Sequence, residues 1–133
     1  MAFTGPEADR MAIRDLHDTY GDAASRMDKQ QWLDCWAPDG VWVTAAVGEV
    51  RGHEALAQTW DRLFETMDAM AFFVSTGAIS VTGDTATARC HVREIGRING
   101  KVMKFSARYD DELVRIGGRW LFSSRTYVMN IAE

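Results

Sequence analysis

At 133 residues the chain fits a single domain, 1–133, long enough to bury a core without disulfide or metal staples. A net charge of −4, from 15 Lys and Arg against 19 Asp and Glu, argues against a nucleic-acid partner, which needs a basic stripe. The composition, 47% hydrophobic and 26% charged, excludes a disordered chain, and no apolar run approaches the ~20 residues of a membrane helix.

The opening MAFTGPEADR lacks the charged-then-apolar pattern of a secretory signal. Cys35 and Cys90 stand far apart, with no CxxC or Cys/His grouping, and read as reduced and buried. The expected compartment is therefore the cytoplasm. Five Trp and six Phe supply large rings for a core or for the lining of an apolar pocket.

In chain order, Met11, Ile13, Leu16, Tyr20, Ala24 and Met27 recur at three- and four-residue steps and predict an amphipathic helix over 7–27. Asp28 is a suitable N-cap for a short second helix through Gln31, Trp32 and Cys35, and Ala37-Pro38-Asp39-Gly40 should break it. Val41–Thr44 reads as a strand. A third helix, about 53–67, carries Leu56, Trp60, Leu63, Phe64 and Met67 on one face. The period then changes to two, predicting strands at about 71–81, 85–96, 101–116 and 119–129. Their turns hold Thr82-Gly83-Asp84, Asn99-Gly100 and Gly117-Gly118. Helices followed by long antiparallel strands mean an α+β fold: a curved antiparallel sheet wrapped around three N-terminal helices, with a pocket between them.

Ala12-Ile13-Arg14-Asp15-Leu16, Tyr20, Asp28, Trp32, Trp36-Ala37-Pro38-Asp39-Gly40-Val41-Trp42, Gly52 and Ala55-Leu56 resemble the opening of SnoaL-like proteins. Tyr109, Asp111, Leu113, Arg115 and Gly118-Arg119-Trp120 resemble their ending. These proteins belong to the nuclear transport factor 2-like superfamily, whose fold is cone-shaped (an α+β barrel, also called cystatin-like). Relatives include scytalone dehydratases, hexachlorocyclohexane dehydrochlorinases and ketosteroid isomerases. The resemblance implies proton chemistry on a hydrophobic substrate with no metal and no organic cofactor. It also implies a homo-oligomer, dimer or trimer, with Arg125 and Tyr127 as possible interface residues.

The same resemblance exposes departures. The helical Asp of the dehydratase and dehydrochlorinase dyad falls on Ser25, and its strand His falls on Phe73 or Phe72. The isomerase base falls on Thr44, whereas its oxyanion-hole Tyr falls on Tyr20 and that residue's partner Asp falls near Asp111. A catalytic chain of this kind needs a displaced proton acceptor.

Four residues are candidates for chemistry. Tyr20 could donate to a developing oxyanion, or simply be a core phenol. His17, three residues earlier on the same helical face, could be a base or orient the Tyr, or sit half-exposed at the helix edge. Asp111 shares strand parity with Tyr109 and Leu113; it is expected to be desolvated with a raised pKa, or else paired with Arg115 or Arg125. Glu94 continues the parity of Ala88, Cys90 and Val92 and could be the displaced base, or a solvated strand end. Trp42, Thr44, Trp60, Phe64, Phe73 and Met103 are the expected lining of a ligand cavity, or core packing taken singly.

The expected function is a cofactor-independent lyase or isomerase acting on a small hydrophobic ring-containing hydroxy or keto compound. The rival is a non-catalytic binding protein for such a molecule, with a degenerate dyad. A weaker third possibility is a subunit completing another protein's site.

Overall fold

A computed structural model describes residues 2–133. Helix α1 (Glu7–Arg26) ends where Met27 turns left-handed at φ 56°, its N–H bonded back to the carbonyls of Ala23 and Ala24. Asp28 then caps α2 (Lys29–Leu33) by accepting the Gln31 N–H at 3.0 Å, as its position before Trp32 and Leu33 predicts. Helix α3 spans His53–Phe64, one turn shorter than its apolar periodicity suggests.

The strands are β1 (Phe3–Thr4), β2 (Trp36–Thr44), β3 (Gly48–Arg51), β4 (Met67–Thr82), β5 (Thr85–Ile98), β6 (Lys101–Ile116) and β7 (Arg119–Ala132). They form one sheet in the order β1-β4-β5-β6-β7-β2-β3. The β4–β5–β6–β7 meander is antiparallel, with tight turns at the three glycine-bearing sites, while β2 joins β7 in parallel. The helices lie against one face of this open, curved sheet, giving the α+β cone expected from the order of elements.

Three local features differ from the sequence-based expectation. Ala37-Pro38-Asp39-Gly40 does not precede β2 but lies within it, because the β2–β7 register shifts between Trp36 and Val41. The shift takes Pro38 and Asp39 out of the ladder, so the missing proline N–H costs no pairing. Strand β4 opens at Met67, the expected end of the third helix, four residues ahead of the strand expected from about 71. Strands β1 and β3 are too short to show a period, and pairing with β4 and β2 creates them.

Alternation decides what each strand buries. Ala86, Ala88, Cys90 and Val92 of β5 and Ala107, Tyr109, Asp111 and Leu113 of β6 face inward. Ile13, Tyr20 and Ala23 of α1 pack down onto them together with Trp32, Trp36, Leu56 and Phe122. Gly21 lets α1 approach β4 closely: a Cβ there would lie 3.0 Å from Val74 Cγ2 and 3.2 Å from Phe72 Cδ1. That contact fixes Phe72, not Phe73, beneath the helix.

Candidate functional site

Between the inner sheet face and α1–α3 lies a cavity of about 340 Å³. Its walls are mostly rings and thioethers. Trp32 and Trp42 meet edge to face at 5.5 Å, Trp60 stacks on Phe64 at 3.9 Å, and Phe72, Phe105, Met67 and Met70 come from the long strands. Leu63 and Met129 line it while remaining partly exposed, so they mark its mouth, beside the β2–β3 turn at Ala45–Val47.

Few polar groups face this space. Tyr20 and Tyr109 bring their hydroxyls within 3.4 Å of each other. The Tyr127 hydroxyl donates to Glu94 Oε2 at 2.5 Å. Burial pushes the Tyr20 phenol up to about 12, against the pull of Arg125. Glu94 is half-buried and lines the cavity. Desolvation raises its pKa, and neither the Tyr127 hydrogen bond nor the more distant Arg125 reverses this. Trp42 Nε1 is a buried donor without a partner among the described residues.

Behind the tyrosines lies a second polar cluster, sealed from the cavity. The Arg125 guanidinium carbon sits 3.8 Å from the Tyr109 ring centre, 4.0 Å from that of Phe122 and 4.3 Å from that of Tyr20. Its Nε donates to Asp111 Oδ1 at 2.7 Å; Nη2 lies 3.1 Å from Asp111 Oδ2 and 3.2 Å from Cys90 Sγ. His17 Nε2 lies 2.9 Å from Asp111 Oδ2, and Nδ1 lies 3.0 Å from Thr76 Oγ1. An ionised carboxylate only accepts, so His17 donates from Nε2; a neutral ring then accepts the Thr76 hydroxyl at Nδ1. Burial lowers the His17 pKa despite Asp111, which keeps the ring neutral. Donor atoms of His17, Cys90 and Asp111 lie within 4.8 Å of one another. The guanidinium already supplies the positive charge at this spot, so the trio does not fit a metal ion.

The sequence-predicted residues therefore separate. Tyr20, Glu94, Trp42, Thr44, Trp60 and Phe64 all line the cavity. His17 and Asp111 do not; both are enclosed one layer behind it. Asp111 also departs from the raised pKa expected of a desolvated acid: burial pushes it up, but Arg125 and His17 together bring it below the ordinary value. Phe73 is 60% exposed on the outer sheet face, because parity along β4 turns Phe72 inward, where it is 7% exposed. Met103 does not line the cavity either; Met67 lies across Gly96, the cross-strand partner of Met103, and forms the wall there. Arg125, taken for an interface residue, is wholly internal, and Tyr127 lines the cavity.

Tyr109, Tyr127 and Phe72 were missed as lining residues. The signal for two of them was available, since Tyr109 and Tyr127 are cross-strand partners two residues from Asp111 and Arg125, on the same face. Ser25 Oγ accepts the Phe72 N–H at 2.9 Å and donates to the Phe72 carbonyl at 3.3 Å, so Ser25 and Phe72 are the residues that face each other.

A SnoaL-like domain model matches residues 7–126. The chain belongs to the SnoaL-like family. No curated protein matches its sequence significantly. Among solved structures, hexachlorocyclohexane dehydrochlorinase LinA type 2 is similar at 21% identity and a TM-score of 0.87, covering 95% of this chain and 88% of its own. A protein from Novosphingobium aromaticivorans, provisionally described as a scytalone dehydratase, is similar at 18% identity and TM-score 0.87, over 95% and 87% of the two chains. Another from that organism, provisionally described as an aromatic ring hydroxylase, shares 24% identity at TM-score 0.91, over 98% and 95%. At these identities the likeness establishes the SnoaL-like cone and leaves the reaction to the site. No described helix is long and apolar enough to cross a membrane.

Proposed function

We propose that this SnoaL-like protein is a cofactor-independent lyase or isomerase for a small, hydrophobic, ring-containing hydroxy or keto compound. The observation that carries the reading is Glu94: a carboxylate with a raised pKa, held by the Tyr127 hydroxyl in an otherwise apolar ring-lined cavity. A carboxylate with a raised pKa is a stronger base than an ordinary one, which suits it to accept a proton from carbon. The Tyr20–Tyr109 pair supplies a hydroxyl donor for the substrate oxygen, where a developing negative charge is stabilised most strongly in a low dielectric. In an isomerisation Glu94 removes the proton and returns it to another carbon. In a dehydration Glu94 removes the proton from the carbon next to the C–OH carbon, and the C=C bond forms as the C–O bond breaks. The departing hydroxyl takes a proton from the phenol and leaves as water; the proton held by Glu94 then restores the phenol.

His17, Asp111 and Arg125 act in this reading through the tyrosine wall, by holding Tyr20 and Tyr109 in place. The dimer or trimer implied by the resemblance and the cytoplasmic location expected from the two unpaired cysteines remain part of the proposal.

The test is a stability screen with steroids, phenolic diols, hydroxy-ketones and terpenoids, followed by mass spectrometry of each stabilising compound. A compound that is both stabilising and consumed is expected, and Tyr20→Phe should lower its turnover about 10²–10³-fold. A loss of only a few-fold would remove Tyr20 from the mechanism. Ser25 and Phe72 at the dyad positions favour one alternative, a binding protein without chemistry. A stabilising ligand recovered unchanged under all conditions would select it.

A further inference from the structure

We propose that the cavity selects its ligands by the sign of their charge, preferring protonated amines over carboxylates on the same ring system, and that Glu94 sets this preference. The proposal deepens the reading of this cavity as the ligand site and does not depend on catalysis.

Glu94 is the only Asp, Glu, Lys, Arg or His among the residues lining the cavity. Arg125, the nearest strong cation, is unavailable to a ligand: Asp111 takes two of its hydrogen bonds, Cys90 a third, and Tyr20 and Tyr109 cover its plane. Tyr127 is the one hydrogen-bond partner of the Glu94 carboxylate among the described residues. Its cross-strand neighbours are Phe72 on β4 and Phe105 on β6, both apolar and both lining the cavity.

An apolar cavity with no charge would disfavour both ions alike, since either must shed water on entry. A single acid breaks that symmetry. It attracts an ammonium and repels a carboxylate across a medium of low effective dielectric, and the Trp32, Trp42 and Trp60 rings in the wall add attraction only for a cation that reaches a ring face. A neutral alcohol escapes both effects and serves as the reference.

The experiment is calorimetric titration of the protein at pH 7 with 2-naphthylmethylamine, 2-naphthylmethanol and 2-naphthoate. The alcohol should bind, and the amine should bind at least about tenfold more tightly than the carboxylate. In Glu94→Gln the ratio of amine to carboxylate affinity should fall to about threefold or less, by the same relation. A carboxylate that binds wild-type protein within threefold of the amine overturns the proposal without recourse to any variant. So does failure of the alcohol to bind, and so does a preference for the amine that Glu94→Gln leaves intact. Turnover is not read in any arm, so an inactive protein that still sorts the three compounds would end the catalytic reading and keep this one.

Discussion

Asp111 on β6 and Glu94 on neighbouring β5 both project from the inner face of the sheet, and their environments drive them in opposite directions. Asp111 is the more deeply enclosed, yet its pKa is lowered; Glu94 retains partial exposure, yet its pKa is raised. Burial acts in the same sense on both. The difference lies in the partners: a two-point Arg125 bridge and a His17 donor for Asp111, a single phenol for Glu94. An acid given that many donors is a structural anion, whereas an acid given one is free to exchange its proton. The two carboxylates divide the polar interior into a fixed region that holds the tyrosines and a responsive one that faces the ligand.

Removing each acid in turn is the strongest test of that division. Asp111→Asn leaves the Arg125 charge enclosed without its counter-charge and should destabilise the fold by about 3–5 kcal/mol. Glu94→Gln removes a poorly solvated charge and should change stability by less than about 0.5 kcal/mol, or increase it. Urea denaturation of both variants decides the matter. A loss below about 1 kcal/mol in Asp111→Asn would mean that Arg125 finds other partners, and the fixed region would not be fixed.

A second pair of adjacent residues sharpens the boundary between cavity and surface. Phe72 packs under α1 against Gly21 and 5.7 Å from the Tyr20 ring, while Phe73 points outward. Phe72→Ala should cost about 3 kcal/mol in thermal or urea unfolding. Phe73→Ala should stay within about 0.5 kcal/mol, as an exposed side chain does. Equal costs at the two positions would mean that the β4 register is shifted by one, which would also turn the facing side chains over.

That register is where the sequence was least legible. The four long strands, the helical faces and the glycine turns all follow from periodicity and turn chemistry, and the motif residues at both ends place the chain in its family. The face that Phe72 and Phe73 each present does not follow, because both are large, apolar and equally suited to a strand; only the close approach at Gly21 separates them. The site shows the same limit. Strand parity puts Glu94 and Asp111 on the inner face and foresees an Arg125 bridge as one possible fate of Asp111. It cannot show that Arg125 and His17 converge on one carboxylate, since those contacts join α1 to β6 and β7 across the domain. Parity likewise assigns Tyr127 and Arg125 to the face that Tyr109 and Asp111 occupy, a cross-strand signal that outranks their exposed-looking position near the chain end.

The smallest effect is the most specific, because it sets the two regions against each other within one measurement. His17 is held neutral by burial, so below its ordinary value of 6.5 the unfolded chain takes up a proton that the folded chain refuses. The unfolded state then binds more protons and stability must fall as pH falls, at up to about 1.4 kcal/mol per pH unit for a full proton. Glu94 acts in the opposite sense: its raised pKa lets the folded chain bind a proton sooner than the unfolded one above 4.5, which adds stability as pH falls. Asp111, with its lowered pKa, contributes stability above its ordinary value of 3.8 and loses it only below that. Below pH 6.5 the His17 and Glu94 contributions have opposite signs wherever their titrations overlap, so wild-type protein should show a shallower slope in urea denaturation than a chain without Glu94. In Glu94→Gln the opposing group is gone, and stability should drop more steeply over the same interval. If the variant is as flat as wild type, His17 takes up its proton in the folded state, and the neutral imidazole between Thr76 and Asp111 is the wrong description of the fixed region.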